Sequence, residues 1–169
     1  MKSKIRRIYI LFFITITTAS FSQNKTIEKM EWLTTQTEYE GLPLYLRIPN
    51  YKNIWEYKSR YPELISITHE FESTKDNGLP TSGYNKSLMD FDFDVVNIFQ
   101  GENSGIIFLV ETYGGERNYW FYGEDSKAIS KLFNELKSKY PDKKIKLDCQ
   151  NNSDWSFIKD YPVQLYKNQ

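Results

Sequence analysis

Apolar and polar residues alternate along several short segments, and this alternation predicts strands with one buried face. In residues 64–71 the polar residues Ser66, Thr68 and Glu70 fall on one face, and the other face carries Ile65, Ile67, His69 and Phe71. Further strands are predicted at residues 32–39, 44–48, 117–122 and 144–149. A continuous apolar run at residues 106–110 is typical of a central strand that is covered on both faces.

Two longer segments repeat their apolar residues at helical spacing. Residues 85–99 carry one apolar stripe, which is closed by Gly101. Residues 126–140 carry a second stripe, which follows a cap at Asp125 or Ser126 and ends at Pro141. Residues 51–61 predict a short helix between two prolines, and residues 154–160 predict a helical turn.

The order of these elements over residues 64–149 is β-α-β-β-α-β, which predicts an α+β domain of the ferredoxin-like type. In that fold a four-stranded antiparallel sheet carries both helices on one face. An N-terminal hairpin at residues 32–48 and its short helix would extend or cover the sheet. We therefore expect a single α+β domain over residues 31–166, after a polar leader at residues 23–30.

The first 22 residues have the organisation of a secretory signal peptide. Four basic residues between Lys2 and Arg7 precede a short apolar core at residues 8–16, and Ser20-Phe21-Ser22 offers a cleavage site before Gln23. A permanent membrane span needs about 20 apolar residues, so an uncleaved anchor is the less favoured alternative. We expect an exported protein, periplasmic or secreted, with no stable membrane span after cleavage.

Charge and cysteine content narrow the class of partner. Loss of residues 1–22 leaves 18 basic residues against 22 acidic ones, a net charge of −4. Nucleic acid and anionic lipid are bound by clustered Lys and Arg, so we expect neither as the main partner. Cys149 is the only cysteine, so packing among the 13 Tyr, 11 Phe and 4 Trp must stabilise the fold without an intramolecular disulfide.

The residues that could support catalysis or bind a metal are better explained by structural roles. His69 and Cys149 are the only imidazole and thiol, and on antiparallel neighbouring strands they would lie more than about 10 Å apart. Asp90, Asp92 and Asp94 lack the glycine and glutamate that would complete a calcium loop, so they predict a solvated acidic helix face. We expect no catalytic residue among these groups, no metal and no cofactor.

The candidate binding residues are Arg117, Trp120, Tyr122 and Trp155. Trp120 and Tyr122 share one strand face with Asn118, whereas Arg117 lies on the other face. An open face with Trp and Tyr can stack a sugar, a peptide or a partner surface. The competing interpretation is that the N-terminal hairpin or the turn at Trp155 covers this face as ordinary packing.

Four short motifs resemble the family called domain of unknown function 695, over about residues 32–166: Gly41-Leu42-Pro43, Asn77-Gly78-Leu79-Pro80, residues 115–122 and Trp155-Ser156-Phe157. The second half of that family is similar to the fold of the ribonuclease regulator B domain, a small α+β inhibitor. The resemblance implies a protein-binding domain of the cytoplasm, whereas the signal peptide predicts export. It implies no catalytic residue.

Together these features predict an exported, non-enzymatic domain that binds a protein, peptide or glycan of the cell envelope. One alternative is a small cell-envelope hydrolase that uses Glu111 and Glu116 as acid and base, since a carboxylate pair needs neither histidine nor metal. A second alternative is an enzyme inhibitor similar to the ribonuclease regulator.

Overall fold

A computed structural model describes residues 30–99 and 104–166. The predicted signal peptide, almost all of the predicted leader and the predicted helix end at Gly101 lie outside the described residues. Within them, six strands form one antiparallel sheet. The strands are β1 (Trp32–Tyr39), β2 (Leu42–Pro49), β3 (Glu63–Glu70), β4 (Gly105–Tyr113), β5 (Glu116–Gly123) and β6 (Ile145–Asn151).

The strand order is β1-β2-β4-β5-β3-β6. The last four strands of that order form the ferredoxin-like core, in which the first and last strands of the β-α-β-β-α-β unit, β3 and β6, are neighbours. This confirms the predicted fold class. The N-terminal hairpin extends the sheet rather than covering it, because β2 pairs with β4 and leaves β1 at one edge.

The helices are α1 (Ser82–Ser87), α2 (Met89–Asn97), α3 (Ser126–Lys139) and α4 (Ser156–Asp160). The cap of α3 is confirmed as Asp125, whose side chain accepts from the N–H of Lys127. The single helix predicted at residues 85–99 is wrong, since Leu88 has φ −84° and ψ −1° and separates α1 from α2. α1 also begins three residues before the predicted start.

The helix predicted at residues 51–61 is also wrong. Only a 3-10 turn forms, at Ile54–Tyr57, where the Asn53 side chain accepts from the N–H of Trp55. The Tyr51 hydroxyl donates to the Ile107 carbonyl, with 2.9 Å between the oxygens, and Ile54 is fully buried. This segment is therefore fixed to the sheet by its side chains, and it does not form a continuous helix.

Two hydrophobic clusters cover the two faces of the sheet. The first lies between the sheet and α1 to α3, and it includes Phe91 and Val95 of α2 and Ile129 of α3. The second lies on the opposite face, under residues 51–61 and the C-terminal residues 152–166. The central strand β4 is buried from Gly105 to Val110, which confirms the prediction that both of its faces are covered.

The loop at Gly78 packs closely against the turn between β4 and β5. Gly78 has φ +77°, and a Cβ atom there would lie 3.1 Å from Gly114 Cα and Gly115 N. The Gly115 N–H donates to the Gly78 carbonyl, and the Phe71 N–H donates to the Gly115 carbonyl. The close approach of two backbones therefore requires glycine at Gly78, and it fixes the start of β5 just before Arg117.

Candidate functional site

The four candidate binding residues divide between the two faces of the sheet. Arg117 points toward the helices and is 7% exposed. Trp120, Tyr122 and Trp155 lie together on the opposite face, where Tyr122 and Trp155 are fully buried and Trp120 is half-buried. The alternation predicted along β5 is thus confirmed, and Trp120 is the one of the four that is not buried.

Arg117 is the centre of a polar network beneath α1 and α2. Its Nη1 donates to both carboxylate oxygens of Asp92, at 2.7 and 2.9 Å, and its Nε donates to the Thr112 hydroxyl at 3.0 Å. Its Nη2 donates to the Asn85 side-chain oxygen at 2.8 Å, and the Tyr119 hydroxyl also donates to Asp92. All three guanidinium nitrogens are engaged, so Arg117 fixes α1 and α2 on the sheet.

This network corrects the prediction for the acidic helix face. Asp92 is not solvated, because its side chain is 18% exposed and bonds with Arg117 and Tyr119. Asp94 accepts from Lys139 and from the Tyr140 hydroxyl at 2.5 Å, so it joins α2 to the end of α3. Asp90 is exposed, as predicted.

Tyr122 and Trp155 form a buried stack. Their ring centroids lie 4.1 Å apart with an interplanar angle of 12°. The Trp155 Nε1 donates to the Tyr61 carbonyl at 2.8 Å, and the Tyr122 hydroxyl donates to the Asn152 side-chain oxygen at 2.7 Å. The C-terminal segment therefore covers this half of the face, in agreement with the competing interpretation.

A polar row crosses the part of the same face that the C-terminal segment leaves partly open. The Thr68 hydroxyl donates to the Asn118 Oδ1 at 2.7 Å, and the Asn118 Nδ2 donates to the Glu111 Oε1 at 3.2 Å. The Tyr161 hydroxyl donates to the other oxygen of Glu111. These four half-buried residues, which we call the polar row, join β3, β5 and β4 to the C-terminal segment.

Trp120 lies beside the polar row, two residues after Asn118 on the same strand face. Its ring packs against Phe157, with centroids 4.4 Å apart and an interplanar angle of 33°. Its Nε1 is buried and has no hydrogen-bond partner among the described residues. Such an orphaned donor is uncommon. We call the polar row together with Trp120 and Phe157 the Trp120 surface.

The electrostatics of the Trp120 surface keep its groups in fixed roles. Burial and the neighbouring Glu111 carboxylate raise the pKa of Tyr161 above its ordinary value, so its hydroxyl stays a donor. Both oxygens of Glu111 already accept hydrogen bonds. The surface therefore presents hydroxyl, amide and carboxylate groups beside an indole ring, an arrangement suited to binding a ligand with both polar and apolar sides.

The two carboxylates of the hydrolase alternative lie near each other. Glu111 pairs with Asn118, and Glu116 is two residues from Asn118 on the same face. The backbone positions of such diagonal neighbours lie about 7–8 Å apart, so two carboxyl groups that extend from them can flank a water. Glu116 also lies opposite Glu70 in the sheet. This arrangement is the observation that keeps hydrolysis as a second candidate function.

His69 and Cys149 are not brought together. His69 pairs with Ile145, and Cys149 pairs with Ile65 four residues away, so about 13 Å separates the two positions along the strands. Burial and the nearby Glu63 raise the pKa of the Cys149 thiol to about 11, which disfavours a thiolate. Among the described residues, no group of His, Cys, Asp and Glu could hold a metal ion.

His69 is fully buried beneath α1 and α2. Its Nε2 lies 3.1 Å from the Tyr84 hydroxyl, and its ring contacts Phe91 with centroids 4.8 Å apart. Its Nδ1 has no partner among the described residues. Burial, together with the nearby cations Lys143 and Arg117, lowers the pKa of His69 from 6.5 to about 4. The imidazole is therefore neutral in the folded protein.

Replacement of His69 by glutamine is expected to flatten the pH dependence of stability. The unfolded chain binds a proton at His69 more readily than the folded protein, so the wild type loses stability as the pH falls from 6.5 to about 4. A pKa difference of that size corresponds to at most about 3 kcal/mol. Urea unfolding of both proteins at several pH values measures the effect, and equal slopes would contradict it.

The family model described as a family of unknown function (DUF695) matches residues 31–162. The chain belongs to the DUF695 family. No curated protein and no solved structure matches the chain, so its similarity to the ribonuclease regulator B fold stays a prediction. No described helix of this DUF695 protein is long and apolar enough to cross a membrane.

Sequence reasoning missed several residues of this DUF695 protein that complete its networks. Asp92 lies within the apolar stripe of α2, between Leu88 and Val95. A charged residue within such a stripe is the sequence signal that could have indicated a buried, paired carboxylate. Asn118 was placed on the correct face, but its partners Thr68 and Tyr161 come from distant parts of the chain. Nothing in the sequence pattern connects those segments.

Proposed function

We propose that this DUF695 protein is an exported, non-enzymatic domain that binds a glycan of the cell envelope at the Trp120 surface. The observation that carries the proposal is the position of a half-buried indole beside a hydrogen-bonded row of hydroxyl, amide and carboxylate side chains. A sugar ring has an apolar face that packs on aromatic rings and a rim of hydroxyls that bond to such polar groups.

A glycan fits this surface better than a protein does. Protein interfaces are anchored by large aromatic or aliphatic side chains that become buried at their centre. The exposed large apolar residues of the described chain lie elsewhere, at Leu33, Tyr39, Tyr57, Met89 and Phe93. The Trp120 surface is therefore suited to a small polar ligand with one apolar side.

Substitution of Trp120 by alanine is expected to raise the dissociation constant for cell-wall glycan fragments by at least about 10-fold, since a central aromatic contact contributes about 2 kcal/mol or more. Asn118→Ala is expected to weaken binding less. Isothermal titration with defined soluble cell-wall fragments measures both effects. Gln150→Ala, an exposed position on β6, is the matched control and is expected to bind like the wild type.

Thermal unfolding of each variant separates lost binding from lost stability, and Trp120→Phe keeps an aromatic ring against Phe157. Unchanged binding in both Trp120→Ala and Asn118→Ala would remove this surface from consideration. If the protein releases new reducing ends from the glycan, and Glu111→Gln or Glu116→Gln abolishes that release, then its function is hydrolysis rather than binding.

Export is tested by the location and mass of the protein in the cell. A protein that is purified from the envelope fraction and has the mass of residues 23–169 would support export. A cytoplasmic protein with residues 1–22 intact would contradict it.

A further inference from the structure

The edge strand β1 has an unpaired outer side in the described part of the chain. β1 ends the strand order, and its inner side pairs with β2 along its whole length. An edge strand exposes N–H and C=O groups that can pair with another strand, and proteins usually block it with Lys, Pro or a bulge. β1 contains neither Lys nor Pro, and its register with β2 is continuous.

The other edge of the sheet is different. β6 carries a cation at Lys146 and an anion at Asp148, and both side chains are exposed. Within β1, Glu38 is the only charged residue, and residues 33–37 are uncharged. Charged side chains thus lie along the β6 edge, whereas most of the β1 edge has no charged side chain that would oppose pairing with another strand.

The turn between β1 and β2 determines which residues of β1 bond to β2 and which face outward. Glu40 and Gly41 both have positive φ and form a two-residue hairpin turn. The hydrogen-bonded pair that closes such a turn is Tyr39 with Leu42, so the odd-numbered residues of β1 bond to β2. The bond from the Asn50 N–H to the Glu31 carbonyl has the same phase. The backbone groups of Thr34, Gln36 and Glu38 therefore face outward.

Two exposed apolar side chains lie symmetrically on this strand. Leu33 is 44% exposed and Tyr39 is 43% exposed. Both lie on one face, three residues before and three residues after Gln36. A two-fold axis through Gln36, perpendicular to the sheet, would bring Leu33 of one copy directly opposite Tyr39 of the other. That pair falls at a position without backbone hydrogen bonds, where side chains approach most closely.

We propose that two copies of this chain pair antiparallel through β1, with the two-fold axis at Gln36. The two Gln36 residues exchange N–H to C=O bonds, Thr34 bonds with Glu38 of the other copy, and the two sheets become one continuous sheet. An axis shifted to Thr35 is less favourable, because it places Leu33 opposite Thr37 and leaves Tyr39 beyond the paired residues. The perpendicular axis also turns both Trp120 surfaces to the same side, so a dimer would bind a polymeric ligand with two sites, if the proposed function holds.

Sedimentation of the purified protein without ligand, between about 1 and 100 μM, tests the pairing. We expect a concentration-dependent dimer. Gln36→Pro removes an outward N–H that an edge strand does not need for its own hairpin, so it is expected to leave the fold intact and to weaken dimerisation at least about 10-fold. Gln36→Ala keeps the N–H and is the matched control, with dimerisation expected to be unchanged.

A charge pair tests the register and does not depend on proline. Leu33→Lys is expected to weaken the dimer, and the double variant Leu33→Lys/Tyr39→Glu is expected to restore it, because the two new charges meet only between copies. Within one copy these positions are about 20 Å apart along the strand. A monomer at every concentration would overturn the proposal. So would a dimer that Phe93→Lys on α2 dissociates while Leu33→Lys does not.

Discussion

Replacing Asp92 with alanine is expected to destabilise the fold by about 3–5 kcal/mol, because it leaves a buried cation without its partner. The Arg117 side chain is only 9% exposed, and its Nη1 donates to both carboxylate oxygens of Asp92. Burial alone would lower the pKa of Arg117, but Asp92 and Tyr119 raise it above its ordinary value, so the guanidinium remains charged. Urea unfolding at neutral pH measures the loss.

Asp90 provides the control for this experiment. It lies in the same first turn of α2, but its side chain is exposed, so Asp90→Ala is expected to change stability by less than about 0.5 kcal/mol. The double variant Asp92→Leu/Arg117→Met removes both charges, and it is expected to lose less stability than the sum of the two single losses. A loss below about 1 kcal/mol for Asp92→Ala would show that the network contributes little to the fold.

The Asp92 network also shows why part of the fold could be predicted and part could not. The strands β3, β5 and β6 follow from local alternation, which is determined by which side chains face the helices, and β4 follows from its continuous apolar run. The pairing of Arg117 with Asp92 joins residues that are 25 positions apart. It depends on how α2 rotates on the sheet once Leu88 separates it from α1, and the spacing of apolar residues does not determine that rotation.

The candidate site was predictable in the same limited way. Alternation placed Trp120 and Tyr122 on one face of β5, and that assignment is confirmed. What covers that face depends on the C-terminal segment, which returns to the sheet after β6. Trp155 has φ +55°, a left-handed conformation that is uncommon for a residue other than glycine. Sequence patterns do not reveal such a conformation, so burial of Trp155 and Tyr122 remained only a competing interpretation.

Replacement of Trp155 by alanine is expected to cost about 3–5 kcal/mol, as for other large aromatic residues removed from a core. The ring is fully buried between Tyr122 and Trp55 and donates to the Tyr61 carbonyl. Alanine also has a Cβ atom, so the backbone conformation at φ +55° stays equally unfavourable, and the loss reports the ring itself. Thermal and urea unfolding measure it.

Two further variants show what the loss means. Trp155→Phe keeps an aromatic ring but removes the N–H, so it is expected to lose less stability than Trp155→Ala. Phe93→Ala removes an aromatic ring that is 61% exposed, and it is expected to change stability by less than about 0.5 kcal/mol. If Trp155→Ala instead kept full stability and abolished glycan binding, Trp155 would be a contact residue, and the C-terminal segment would have to move aside to expose the ring.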